Sequence, residues 1–381
     1  MEEKVILDLD RPLKKTLKSE TRMELGETPG AQTRDGKKYG VWIERDDKGH
    51  KIIEKVLQGT FGKRTDWYPN GEKKQECEFR NLLQHGKFTA WYANGVKKRE
   101  GEFLEGKMCG QWTWWSRTNQ KRGQGEFKED KQHGTWVNFF DNGQKKNAAQ
   151  FTEGILNGKW CKWEDTGQKL GQGQFKNGKK HGKWSVWNSK GIKTNETDFV
   201  NGFMHGISIQ WNDQGVKIAT GAYKFGKKSG TWVRWNNEGI KTEEAEYTKD
   251  EKTGHCILFN DMGRKKSSGK LIKGLKNGRW NFWDEYGNLT EEGVYHDSLK
   301  NGLWTLFDST GRKKRVGEFV DDQMTGTWIF WDDEGRKRIE TSYKNGEKDG
   351  LSMEWNIEGF LIKNEVYREG NLVKLLGIPQ Q

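Results

Sequence analysis

Apolar and aromatic residues in this chain do not gather into long runs. They return at fixed phases, in a phrase of which Gly182-Lys-Trp-Ser-Val-Trp-Asn-Ser-Lys-Gly191 is a clear copy. With the first glycine of the phrase as anchor, Gly62, Gly86, Gly110, Gly134, Gly158 and Gly182 stand 24 residues apart, and the spacing continues to Gly350. An earlier copy begins at Gly40, two residues short of register, which makes 14 copies. A fixed period of this length marks a repeat architecture and not a globular enzyme.

Each copy reads as strand, turn, strand, turn. Two residues after the anchor stands Trp, as at Trp160 and Trp184; five after it stands an aromatic, as at Trp163 and Trp187, except for Arg45 in the first copy. Nine after it stands Gly, or Asn119, and pairs such as Asn70-Gly71 and Asn94-Gly95 are strong hairpin signals. The second strand opens on Lys at plus 11, with a small residue at plus 15 (Gly101, Gly125, Ala149, Gly173) and an aromatic at plus 17 (Phe103, Phe127, Phe175). With a period of two, positions 11, 13, 15 and 17 share a face, and the small residue leaves room for an indole from the neighbouring strand. Plus 2 and plus 5 fall on opposite faces of a regular strand. Either both faces carry aromatics or a bulge re-aims one of them.

A helical reading fails. Each copy carries two or more glycines, at about 1 kcal/mol each inside a helix, and no apolar stripe recurs at a spacing of 3 to 4. The expected fold is all-β: an elongated, open-ended, solenoid-like meander of about 14 antiparallel hairpins. With strands about 4.8 Å apart, such a ribbon would be on the order of 130 Å long. Residues 1–35, with Pro12 and Pro29, read as an N-terminal tail or cap to which Val5-Ile-Leu-Asp-Leu9 adds a strand; 36–370 form the array and 371–381 a C-terminal tail. No proline falls between Pro69 and Pro379, as an unbroken ladder requires.

Composition changes this picture little. Charged residues make up 32% of the 381, which alone would raise suspicion of disorder, but 20 Trp and 49 Gly at fixed phases overrule it. No stretch is apolar enough to span a membrane and the first residues lack the blocks of a signal peptide, so a cytoplasmic protein is expected, peripheral to the membrane if it binds lipid. Cys77, Cys109, Cys161 and Cys256 occupy four different phases and have no zinc spacing. A net charge of +12 implies affinity for acidic surfaces.

The phrase Gly-x-Trp-x-x-Trp-x-x-x-Gly-x-Lys, followed by Gly-x-Phe-x-x-Gly-x-x-x-Gly, resembles the MORN repeat (membrane occupation and recognition nexus), in particular its bacterial variant. Gly158 to Gly182 is a good copy, and the resemblance covers about residues 36 to 370. It implies a ribbon of antiparallel hairpins. The bacterial variant includes a group named as antitoxins (YwqK-like), other MORN proteins serve as scaffolds, and some have been linked to acidic phospholipids.

Three sets of residues are candidate sites. The Lys column, including Lys73, Lys97, Lys169 and Lys241, reads as a basic stripe for polyanions, or as stems laid over Trp with charges balanced by Glu102, Glu126, Glu246 or Glu318. His85, His133, His181 and His205, one before the anchor, read as turn residues with no metal or catalytic role. The third set is where copies differ: Arg64, Ser208, Cys256 and Ser352 replace Trp, and Arg312-Lys313-Lys314-Arg315 with Arg336-Lys337-Arg338 is the densest basic region, a candidate for an acidic partner. No catalytic grouping, phosphate loop or cofactor motif stands out from the repeat, so no enzyme, cofactor or small-molecule substrate is expected. A straight row of charges meets a duplex backbone only about once per 34 Å turn, so nucleic acid fits poorly. The expectation is a protein-binding scaffold, and the resemblance narrows it to one that neutralises a partner as an antitoxin does; the alternative is a peripheral scaffold on anionic lipid.

Overall fold

The structure, a computed structural model, describes residues 32–378. The strand expected at Val5 to Leu9 lies outside the described residues, as do Pro12, Pro29 and Pro379. Thirty strands, β1 to β30 in chain order, and no helix occur among the described residues. β1 (Gln32–Arg34) precedes the first anchor, and β30 (Asn371–Leu375) takes up part of the closing segment. The chain divides into two compact units, one up to Lys193 with Phe199–Gly202, the other Thr194–Asp198 with everything from Phe203 on; β15 (Lys193–Val200) is shared between them. Each unit is an antiparallel meander in which a strand pairs with the strands before and after it.

The 24-residue copy maps onto one hairpin. In the copy of Gly110, β8 (Lys107–Trp115) runs from three before the anchor to plus 5, and β9 (Lys121–Lys128) from plus 11 to plus 18. Between copies the chain turns on two residues of positive φ, such as Glu105 (50°) and Gly106 (81°), the tight turn whose twist matches that of the strands. The longer loop within a copy needs a left-handed backbone at plus 9. Asn119 (63°) supplies it where glycine is missing, through its tolerance of that conformation.

A two-residue break in register decides which side chains meet. Gly293 faces Trp304, but the next pair is Val294 with Asn301; likewise Gly269 faces Trp280 and Lys270 then faces Asn277. At this bulge the indole lies back over the small residue, so closely that a Cβ on Gly293 would overlap the Trp304 ring. Its N–H donates to the carbonyl one residue further on: Trp304 to Val294 at 3.0 Å, Trp280 to Lys270 at 3.1 Å, Trp184 to Gln174 at 3.1 Å. Trp fits here because it combines a large apolar body with one donor at its edge.

The first copy lacks this break. β3 (Lys51–Gln58) and β4 (Phe61–Trp67) pair without a shift, from Ile53 with Asp66 to Gln58 with Phe61. The two residues by which Gly40 falls short of register are the two residues of the missing bulge. Consistently, the anchors Gly86, Gly134, Gly158 and Gly182 have positive φ and Gly62 does not.

Both faces of the sheet carry aromatics. On one, the plus 2 indoles pack edge-on against the plus 17 rings, as Phe175 does on Trp184 at 5.1 Å, and Trp112, Trp136, Trp304 and Trp328 are at most 1% exposed. On the other lie the plus 5 aromatics. The expected face of Lys at plus 11 needs correction: a second shift, between Asp66 and Trp67 against β5 (Lys73–Arg80), sets Lys73 opposite Trp67 and skips Lys74. The bulge moves the lysine to the face of plus 5 and plus 14, away from plus 13, 15 and 17.

Candidate functional site

The plus 5 aromatics form the first candidate surface. Trp163 and Trp187 in the first unit and Trp235 and Trp283 in the second are all half-buried, on the face opposite the closed indole core. The column lysines lie over them: Lys73 is 5.6 Å from the Trp91 ring, Lys97 5.8 Å from Trp115, Lys217 5.3 Å from Trp235 and Lys337 4.2 Å from Trp355. Each lysine reaches the aromatic of the following copy, a cation–π contact along the array.

The acids that balance these lysines are not those expected. Lys73 pairs with Glu76 at 2.9 Å, Lys97 with Glu100 at 2.8 Å and Lys241 with Glu244 at 2.9 Å, all at plus 14 on the same face. The Lys63 and Lys73 ammoniums hold the Glu76 carboxyl below its ordinary range against the opposing effect of burial. Glu246, at plus 16, instead accepts the His255 backbone N–H at 2.9 Å across the bulge, as Glu78 accepts that of Lys87 at 3.0 Å. Where plus 14 is not acidic, as for Lys217, Lys265 and Lys313, no carboxylate lies within ion-pair distance among the described residues.

The histidines are not in turns. His85, His133, His181 and His205 lie in strands beside the bulge, where each Nδ1 is buried and has no hydrogen-bond partner among the described residues. No group of three His, Cys, Asp or Glu residues among those described could hold a metal ion. A cleft of about 420 Å³ opens where the first copy lacks its bulge, lined by Val56, Phe61, Lys63, Glu78, Phe79 and His85. Its charges are already engaged, Lys63 with Glu76 at 2.8 Å and Glu78 with the Lys87 amide.

The densest basic region splits in two. Arg336 pairs with Asp332 at 2.9 Å and Glu334 at 2.8 Å, Lys337 with Glu340, and Arg338 donates to the Trp355 carbonyl at 2.7 Å. Arg312 pairs with Asp308 at 3.2 Å, whose carboxyl is held well below its usual range chiefly by the Thr310 hydroxyl. Lys313, Lys314 and Arg315 are exposed. The run also straddles the sheet: Lys313 faces Phe307 on the ladder side, while Arg315 stands between Leu306 and Phe330 on the indole side.

A third basic set was missed in the sequence. Two before the anchor, Lys180 in the first unit and Lys228, Lys252, Lys276, Lys300 and Lys348 in the second cover the indole core; Lys300 is 4.0 Å from the Trp304 ring. The signal was a lysine at constant phase. It was masked because Gln84, Met108, Gln132 and Leu156 fill the same slot earlier in the chain.

Hairpins of constant length, closed by indoles on one side and carrying an aromatic and lysine ladder on the other, define a β-hairpin repeat protein. The chain carries MORN repeats: the family model described as MORN repeat matches residues 100–111, 124–135 and 172–183, and that described as MORN repeat variant matches 62–81 and 84–105. MORN repeats are in general protein- or membrane-binding modules, and proteins built of them are in general non-catalytic scaffolds. No curated protein matches the chain. Among solved structures, those of TcdB2-TccC3-TEV and of TcdB2-TccC3 without hypervariable C-terminal region are similar at 11% identity and a TM-score of 0.16, over 88% and 86% of this chain and 21% of each of theirs. The chain spans about a fifth of the length of those chains.

Proposed function

We propose that the chain is a non-catalytic scaffold that binds a protein partner through its aromatic and lysine ladder. The observation that carries this reading is the plus 5 column. It leaves an aromatic half-buried copy after copy, on the face that ring packing does not close. Aromatic residues with satisfied charges around them are the composition of protein interfaces. A bilayer or other polyanion is favoured by a continuous row of free charge. Here Glu54, Glu76, Glu100 and Glu244 interrupt that row. The narrower reading, neutralisation of a cognate toxin, rests on the resemblance of the repeated phrase to the bacterial MORN variant alone.

The test is affinity capture from the native lysate with the full-length chain as bait, at low salt and at about 0.5 M salt, where the Debye length is a few ångströms. The same is done with a Lys217→Glu, Lys265→Glu variant, which reverses charge over Trp235 and Trp283, and with anionic vesicles in parallel. One stoichiometric protein, retained at high salt and lost with the variant, is expected. If that protein arrests growth when expressed alone and co-expression relieves the arrest, the antitoxin reading stands. Retention of vesicles alone, abolished by salt, would overturn the protein-binding reading.

A further inference from the structure

On the indole side of the second unit, four consecutive copies carry Lys two before the anchor: Lys228, Lys252, Lys276 and Lys300. None of them stands clear of the surface. Lys228 lies 4.6 Å from the Trp232 ring and 5.1 Å from Tyr247, and Lys276 lies 5.0, 4.9 and 4.7 Å from Trp280, Phe282 and Tyr295. Met108, Met204 and Met324 fill the same slot elsewhere, so the core needs only the stem. The ammonium is an addition.

Position plus 13 of the preceding copy decides whether that ammonium is neutralised. Where it is Glu, an ion pair forms: Lys252 with Glu243, and Lys300 with Glu291 at 3.4 Å. Before Lys228 and Lys276 the position holds Ala219 and Ser267, and neither lysine has a carboxylate within ion-pair distance among the described residues. Burial lowers the affinity of both ammoniums for their protons, as do Arg234 beside Lys228 and Lys300 beside Lys276. Arg234 shares Glu243 at 3.5 Å, and exposed Arg315 extends the basic surface past Lys300. Asp250 and Glu243 near Lys228, and Glu291 near Lys276, act on them only from beyond ion-pair distance, so two half-buried cations sit on aromatic floors without a directly paired carboxylate.

We infer that this face of the second unit binds an extended acidic segment of a partner protein, with carboxylates at every third residue that meet Lys228 and Lys276. Successive lysine slots are two strands apart, about 9.6 Å, and Lys228 and Lys276 about 19 Å. Three residues of polyproline II advance about 9.3 Å and six about 19 Å, and its three residues per turn keep every third side chain on one side. Such a segment crosses the strands and places a carboxylate over each unpaired lysine. A bilayer headgroup plane suits these lysines less, since their ammoniums lie along rings and do not project. This surface is on the opposite face from the ladder, so the inference goes beyond the function proposed above and stands or falls separately.

The test is calorimetric titration of the full-length protein with the peptide (Glu-Pro-Pro)5 at low ionic strength, about 50 mM, where charge contacts are least screened. A peptide of equal composition with its Glu residues clustered serves as comparison. The key variant is Lys228→Met with Lys276→Met, which keeps the stem that other copies use natively, and Lys159→Met in the first unit is the control. Binding of the spaced peptide, at least tenfold weaker for the double variant and for the clustered peptide and unchanged for the control, is expected. No binding of the spaced peptide, or binding that the double variant leaves intact, overturns the inference. So does double-variant-sensitive sedimentation with anionic vesicles in place of peptide binding. A ladder partner that is still captured by the double variant leaves the proposed function untouched.

Discussion

Two kinds of copy in the second unit fill the same space in different ways. At Trp304 the indole is fully buried, lies over Gly293, donates to Val294 and packs against Tyr295 at 5.1 Å and Phe319 at 6.1 Å. At Ser208 the side chain is as well buried but small, and its hydroxyl meets that of Thr197 at 2.8 Å, while Thr197 also donates to Asn195 at 2.9 Å. Ser352 and Thr341 repeat the arrangement at 2.9 Å. The strand register is the same at both kinds: Thr341 faces Ser352 as Gly293 faces Trp304. What the fold holds constant is therefore the pair, plus 15 of one copy with plus 2 of the next. Gly goes with Trp, Ala245 with Cys256, Cys77 with Phe88, and Thr with Ser. The substitutions that look like lapses of the repeat are matched by their cross-strand partners.

The comparison breaks most plainly by truncation. Trp304→Ala is expected to cost about 3–5 kcal/mol, because it empties a fully buried site and removes the donor to Val294. Ser208→Ala should cost only about 1–2 kcal/mol, since Thr197 keeps its bond to Asn195. Urea unfolding of the full chain measures both. Equal losses would show that the indole is not the larger contributor.

Thiol labelling reads the same pairs without mutation. Cys77, buried against Phe88, has its thiol pushed up to about 12 by that burial. Cys161 is only half-buried. At pH 8, Cys77 should alkylate slower than Cys161 by on the order of a hundredfold or more, by mass spectrometry of digested samples. Similar rates would mean that the Cys77–Phe88 pair opens freely.

An interconversion sharpens the point. Ser208→Trp alone would drive an indole into the Thr197 side chain, at a cost of about 1–3 kcal/mol from overpacking. Adding Thr197→Gly recreates the Gly and Trp pair and should recover most of that loss, a favourable coupling of at least about 1 kcal/mol in a double-mutant cycle. Purely additive effects would refute the claim that the pair is the unit.

The strands, their two turns and the fit of a small residue under an indole were legible in the sequence because each imposes a local chemistry, such as Asn70-Gly71 at a hairpin or Gly173 beside Trp184. A bulge was legible only as one of two ways to place the plus 2 and plus 5 aromatics, and its position was not, because a register shift is a relation between strands and leaves no residue type behind except the anchor glycine. That one hidden feature explains the misplaced Lys column, the wrong acids proposed for it and the histidines expected in turns. The pairing within the basic cluster was hidden for a different reason: Arg336 and Arg338 are neutralised by Asp332 just before them, and only folding shows that the loop turns the acid back onto them.

Trp160 gives the smallest test. It faces Ala149 where other copies have Gly, and its indole Nε1 is buried without a hydrogen-bond partner among the described residues. The extra methyl lifts the ring, whose far edge approaches Gly171, where an added Cβ would stand 3.1 Å from it. Gln150 offers the carbonyl that Gln174 offers Trp184 in the next copy. Ala149→Gly removes the obstruction, gaining about 1 kcal/mol from the new hydrogen bond and losing a similar amount to backbone freedom. Net stability should thus move by less than about 1 kcal/mol. The indole proton of Trp160 should nevertheless become protected from exchange, as observed by NMR. If it stays as labile as in the parent, the methyl of Ala149 is not what keeps this indole from its carbonyl.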